Sequence, residues 1–144
     1  PLLDTFSEHI TWVGPVGSGH LMKLLHNYVS MGFLALLAEV SAHAHRAGLD
    51  MATLIDVLDR GGGGGVALQR IAPFLLEGDP SNVAFALSNA HKDLTYYTQT
   101  AAEAGVHREI AEAVKKTLQL AVDSGHGGRF VPELAALLRE NVPD

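Results

Sequence analysis

Between positions 20 and 47 the chain carries no proline and one internal glycine, Gly32. Its apolar residues there recur in three- and four-residue steps: Leu21, Leu24, Leu25, Tyr28, Phe33, Leu36, Leu37 and Val40. That spacing predicts one helix over 20–47, capped by Ser18 and stopped by Gly48. At the usual rise such a helix extends about 42 Å. Its apolar positions cover more than one narrow stripe, so it is expected to be a central spine with neighbours on several sides.

Shorter helical patterns follow. They cover 51–59 (Leu54, Ile55, Leu58), 66–76 (interrupted by Pro73), 85–104 (Leu87, Leu94, Tyr97, Ala101) and 108–124 (Ile110, Val114, Leu118, Val122). A last one covers 132–140, with Pro132 suited to its first turn. The five glycines at 61–65 and the segments 78–81 and 125–128 read as loops, and Gly105 as a stop. At the other end, 1–8 reads as a short helix or turn, and 9–13 as a β-rich pentad whose strand is 10–13. The predicted fold class is all-α, a multi-helical domain around one long central helix with a short N-terminal strand. A lone strand has costly unpaired backbone groups. It therefore points to a sheet-containing domain upstream, with 1–13 its stub and 14–144 the helical domain.

Composition narrows the function. The 144 residues have a formal net charge of -6 and no basic stripe, which disfavours nucleic acid as a partner. There is no cysteine, hence no disulfide or thiol chemistry. No uninterrupted apolar run reaches the roughly 20 residues that span a bilayer, and no secretory leader is visible. The expectation is a soluble, cytoplasmic protein without a membrane partner. The chain opens on Pro1 and not on Met, which reads as a processed start or a piece of something longer.

Two constellations carry candidate chemistry. In the first, Gly14-Pro15-Val16-Gly17-Ser18-Gly19 precedes Lys23 and Asn27, which share a helix face. The helix's positive end and apolar neighbours disfavour a further positive charge at Lys23. Burial in such a place brings a lysine toward roughly pH 7–8, where it both donates and accepts protons. The same pattern equally fits a capped helix with a lysine reaching into solvent. In the second, Phe85 precedes His91-Lys92-Asp93-Leu94, and on pattern alone Lys92 and Asp93 fit a solvated charged face. The glycine turn runs Gly-x-x-Gly-x-Gly, unlike the dinucleotide fingerprint Gly-x-Gly-x-x-Gly. No metal site is expected, because His20 and His26, like His43 and His45, point to different helix faces.

The stretch Gly14-Pro15-Val16-Gly17-Ser18-Gly19-x-x-x-Lys23-x-x-x-Asn27 resembles the catalytic signature of the β-hydroxyacid dehydrogenases, the 3-hydroxyisobutyrate dehydrogenase family. Phe85-x-Leu87-x-x-x-x-Lys92-Asp93-Leu94 resembles that family's second signature, and Ala47-Gly48-Leu49-Asp50 is also typical. The similarity runs from about Gly14 to Leu138. The resemblance implies a helical domain like the C-terminal domain of 6-phosphogluconate dehydrogenase, following a Rossmann domain that this chain lacks. It implies Lys23 as general acid or base, with Asn27 holding substrate and lysine in register. It implies Gly17, Ser18 and Gly19 against the substrate, and Lys92, Asp93 and Phe85 on the cofactor side. The implied cofactor is NAD or NADP, bound mainly by the missing domain, and the substrate a small β-hydroxyacid. The implied partners are that Rossmann domain and a second copy in a homodimer. Lys23 separates the chain from the related imine reductases, which usually replace it. The run 61–65 departs from relatives, whose loop is more varied. Two readings result: the catalytic half of a dehydrogenase, nearly inactive without its other half, or a non-catalytic dimerisation module derived from one.

Overall fold

The computed structural model describes residues 10–140. The long periodic segment forms α1, Ser18–Arg46, a helix of 29 residues. Every later helix packs on it: α2 (Met51–Arg60), α3 (Val66–Glu77), α4 (Leu87–Glu103), α5 (Glu109–Ala121) and α6 (Leu134–Glu140). It is the spine that the apolar pattern required. By length and hydropathy alone α1 is also long and apolar enough to cross a bilayer, with a mean hydropathy of 1.3 over one 18-residue stretch. No uninterrupted apolar run in it is that long, and about 33% of that stretch is buried, on the face where five helices pack against α1.

The core lies between α1, α4 and α6. Leu24, Leu34, Leu87, Leu94, Leu118 and Leu134 are all essentially closed to solvent. Each buried leucine contributes about 1.5–3 kcal/mol relative to exposure. Two tight turns on the spine side fix the order of the elements. Gly48, at φ 72°, takes the left-handed position that ends α1. The Asp50 carboxylate then caps α2, accepting from the Thr53 amide at 2.8 Å. α3 continues through Pro73 to Gly78.

Several boundaries differ from the sequence reading. Residues 10–13 form no strand. They are exposed, and among the described residues no strand lies beside them. An isolated β-strand has nothing to pair with, so β-propensity alone did not decide this segment. His9 and residues 1–8, which were expected to precede it, lie outside the described residues. Ser18 does not cap α1. The capping position is Gly17, left-handed at φ 97°, without a side-chain bond, and Ser18 is already helical. The fourth helix starts at Leu87 and not at 85, because Phe85 and Ala86 are drawn into pairing with the C-terminal segment. Ala86 forms an isolated antiparallel bridge with Phe130, and Val131 N donates to Phe85 O at 2.9 Å. The fifth helix ends at Ala121 and passes into a wider π-helical turn, Val122–His126, where Gly125 is left-handed at φ 82°.

These last features position α4. Its first free amides, on Leu87 and Ser88, donate to Arg129 O at 2.8 Å and Gly127 O at 2.9 Å. The loop after α5 therefore supplies the acceptors that a capping side chain would otherwise provide.

Candidate active site

The site forms where the start of α1 crosses the second turn of α4. On α1, Lys23 and Asn27 lie one turn apart, on either side of the closed Leu24. On α4, Asp93 sits beside Leu94, which is fully buried. Packing of those two leucines turns Asp93 inward, and its side chain is only 3% exposed.

A carboxylate in that position needs donors. It has two, both on the same oxygen. Lys23 Nζ donates to Asp93 Oδ2 at 2.7 Å, and Asn27 Nδ2 donates to it at 2.6 Å. Burial would push the Asp93 carboxyl up. The hydrogen bonds from Lys23 and Asn27, with the positive charges of Lys23 and Lys92, outweigh burial and hold it below its ordinary 3.8. The Asp93 bond also orients the Asn27 amide. With its nitrogen on the carboxylate, its oxygen faces His26 Nδ1 at 3.3 Å. One turn further along, the Tyr28 and Tyr97 rings stack with centroids 4.2 Å apart. That stack ties α1 to α4 just beyond the ionic contact. Burial, and then Tyr97, push the Tyr28 hydroxyl above its ordinary value.

Lys23 is not enclosed by apolar residues as the sequence reading expected. Its side chain is 50% exposed, and its ammonium is anchored by Asp93. Gly17, Ser18 and Gly19 form the first turn of α1, one turn before Lys23. Gly14 is held bare by geometry. At φ 128° it is left-handed, and a Cβ there would lie 2.8 Å from Ser18 Oγ. Lys92 is exposed beside the site and acts on Asp93 through its charge. Phe85 lies in the segment before α4, half-buried against the core. The structure thus joins Lys23, Asn27 and Asp93 directly, sets Lys92 next to them and puts Gly17–Gly19 at the helix start. The sequence reading missed His26 as the partner of Asn27, and it missed the tyrosine stack. Tyr97 lies four residues after Asp93, a spacing that would have placed both on one helix face.

The site gathers groups able to donate and accept hydrogen bonds and protons. An anchored ammonium and an oriented amide stand half open at the positive end of a helix, with a second lysine nearby. Such groups can bind an anion and pass it a proton. The described residues contain no sheet and no glycine-rich turn after a strand to hold the rest of a dinucleotide.

Residues 17–138 match the family model described as NAD-binding of NADP-dependent 3-hydroxyisobutyrate dehydrogenase. The chain belongs to this family, the NAD(P)-dependent β-hydroxyacid dehydrogenases. Glyoxylate/succinic semialdehyde reductase 1 of Arabidopsis thaliana is 26% identical over 127 residues, which are 88% of this chain and 44% of that protein. The fold matches a 3-hydroxyisobutyrate dehydrogenase of Salmonella typhimurium with a TM-score of 0.83 at 20% identity, covering 94% of this chain and 48% of the other. It matches the Mycobacterium tuberculosis 3-hydroxyisobutyrate dehydrogenase, solved with L-serine, with a TM-score of 0.84 at 23% identity, covering 96% and 50%. At these identities the two structures establish the shared fold. The chain spans half or less of the length of these three relatives.

Proposed function

We propose that this chain is the substrate-binding and catalytic half of a dehydrogenase that interconverts a small 3-hydroxy acid and its semialdehyde. One observation carries the reading: a single buried oxygen of Asp93 accepts from both Lys23 and Asn27. Surface charges do not need such an anchor, whereas an acid–base lysine must be held in place.

NAD or NADP, when bound, exchanges a hydride with the carbon that bears the substrate oxygen. Lys23 gives a proton to the carbonyl oxygen as that carbon is reduced, and takes one from the hydroxyl in the reverse direction. A positioned donor of this kind contributes roughly 10²- to 10⁴-fold in rate. Asn27, oriented by Asp93, offers a donor and an acceptor to the substrate one turn on. The bare backbone of Gly17 and Gly19, at the positive start of α1, suits the substrate carboxylate. Lys92 and Phe85 serve the cofactor side. A nucleotide-binding lobe of the Rossmann type closes over Lys23 and removes it from water. The L-serine present with the Mycobacterium relative is itself a 3-hydroxy acid, which favours this substrate class.

The isolated chain is accordingly expected to turn over little or no 3-hydroxyisobutyrate with NAD or NADP. Joined to the nucleotide-binding half of a relative, it should gain activity that Lys23→Ala lowers by about 10²-fold or more. Turnover by the isolated chain at the rate of two-domain relatives sinks the reading, as does a joined protein indifferent to Lys23→Ala.

A second reading is favoured by one feature. Leu25, Val29, Phe33, Leu36 and Val40 form an exposed apolar strip along α1, opposite its buried face, and Ile110 of α5 extends it. A contiguous strip of this kind marks an association surface. We propose that two copies pair through it in a homodimer. This is compatible with catalysis and is the whole function if the chain is a non-catalytic module. Sedimentation of the chain in solution separates monomer from dimer.

A further inference from the structure

The Asn27 amide is held at both of its ends. Its nitrogen donates to Asp93 Oδ2 at 2.6 Å, and its oxygen lies 3.3 Å from His26 Nδ1. Helical spacing does not produce the second contact, because neighbouring residues of a helix point about 100° apart. Asp93 draws the amide nitrogen toward α4, and the oxygen is left on the other side, where the exposed ring of His26 meets it. An amide oxygen only accepts, so the ring must donate, and its donor is Nδ1–H. The bond to Asp93 alone leaves the amide plane free to turn about it. A bond at the opposite end stops that turn. The amide then keeps one hydrogen and one lone pair for other partners, both in fixed directions. His26 itself stands at a position that the Lys23-x-x-x-Asn27 spacing leaves open.

We propose that His26 is a positioning residue of the active site. Its ring, carried as the Nδ1–H tautomer, fixes the Asn27 amide so that the remaining N–H is aimed at an oxygen of the substrate. This rests on the acid–base reading of Lys23. His26 touches Asn27 and not the substrate, so it acts on how tightly the substrate is held and not on the proton transfer. A single hydrogen bond of this kind contributes about twofold to tenfold in affinity.

Two measurements test it. Nitrogen NMR of the histidine rings in the 144-residue chain, at a pH where they are neutral, reads which nitrogen carries the hydrogen. The signal missing from His26→Asn identifies His26. The expected result is hydrogen on Nδ1, whereas a ring free of that contact carries it mainly on Nε2. The second measurement uses the chain joined to the nucleotide-binding half of a relative. There His26→Ala should raise KM for 3-hydroxyisobutyrate about twofold to tenfold and leave kcat nearly unchanged. His26→Asn, which puts an amide nitrogen where Nδ1 stood, should restore KM. His26 is exposed on α1, so both variants are expected to fold. Hydrogen on Nε2, an unchanged KM in His26→Ala, or a raised KM that His26→Asn does not restore overturns the positioning role. A joined protein that is inactive, or indifferent to Lys23→Ala, sinks the acid–base reading and the substrate role of His26 with it. The tautomer then still reports whether His26 holds Asn27, so the two failures are told apart.

Discussion

Lys23 on α1 and Asp93 on α4 are 70 residues apart in sequence, and their ammonium and carboxylate meet at 2.7 Å. The contact joins one half-exposed partner to one closed partner. Its worth is therefore set by Asp93, which would otherwise hold a buried charge, and not by the exposed lysine. Asn27 shares the same oxygen, so the carboxylate organises both α1 side chains together.

Asp93→Asn keeps the shape of the side chain and removes its charge. The variant is expected to lose about 1–3 kcal/mol of stability, the usual cost of disturbing a hydrogen bond to a charged group. Urea unfolding followed by circular dichroism measures this. Lys23→Met alone should cost less, because water reaches its end of the contact. The double variant should then cost less than the two single losses added together, since both remove one interaction. Strict additivity would mean that the contact carries no stability.

Acid should weaken the fold through the same group. The Asp93 carboxyl is held below its ordinary 3.8, so the folded state binds fewer protons than the unfolded state in that range. The stability it contributes is complete above about pH 4 and is lost as pH falls through the ordinary carboxylate value toward the depressed one. Asp50 and Asp79 shift in the same direction through hydrogen bonds with Thr53 and Ser81. Unfolding free energy measured from pH 6 down to pH 3 should therefore decline, and Asp93→Asn should flatten part of that slope. An unchanged slope in the variant would show that Asp93 has the same affinity for protons in both states.

The spine was legible in the sequence because its signal is long. Apolar steps sustained from Leu21 to Val40 fit a helical period and nothing else. The strand at 10–13 was not, because a strand is a property of a pair, and a local preference for β structure does not supply the partner. The early start given to the fourth helix has a similar cause. Phe85 is claimed by Val131, a residue 46 positions later, and no local pattern reports that bond. Within the site, Lys23 and Asn27 were legible as neighbours on one face. Spacing could not say which of Lys92 and Asp93 turns inward. That depends on the rotation of α4, which is set by Leu94 in the core and by the Tyr97 ring on Tyr28.

Glycine variants separate fold from function at the start of α1. Gly17 is left-handed at φ 97°, so Gly17→Ala should cost about 1–2 kcal/mol even though nothing lies within 4 Å of its Cβ position. Gly19 is helical with open space around it. Gly19→Ala should therefore stabilise the chain, by about 0.5–1 kcal/mol. If the bare backbone there receives the substrate carboxylate, the same stabilised variant should bind 3-hydroxyisobutyrate more weakly. Thermal unfolding and titration of one preparation read both effects. A Gly19→Ala protein that is more stable and binds equally well would remove that turn from the substrate site.

The apolar strip on α1 makes the last prediction. Phe33 and Leu36 are more than half exposed, and Ile110 is 73% exposed. None of these side chains is needed to fill the core of a single copy. Leu36→Glu should therefore leave the unfolding free energy of a monomer within about 0.5 kcal/mol. In a dimer paired through the strip it would bring two carboxylates into an apolar contact, where an unpaired charge is costly to bury. The expected outcome in sedimentation velocity is a dimer for the unaltered chain and a monomer for Leu36→Glu, with the helical circular dichroism unchanged. If the unaltered chain sediments as a monomer at every concentration tried, the strip is not a self-association surface.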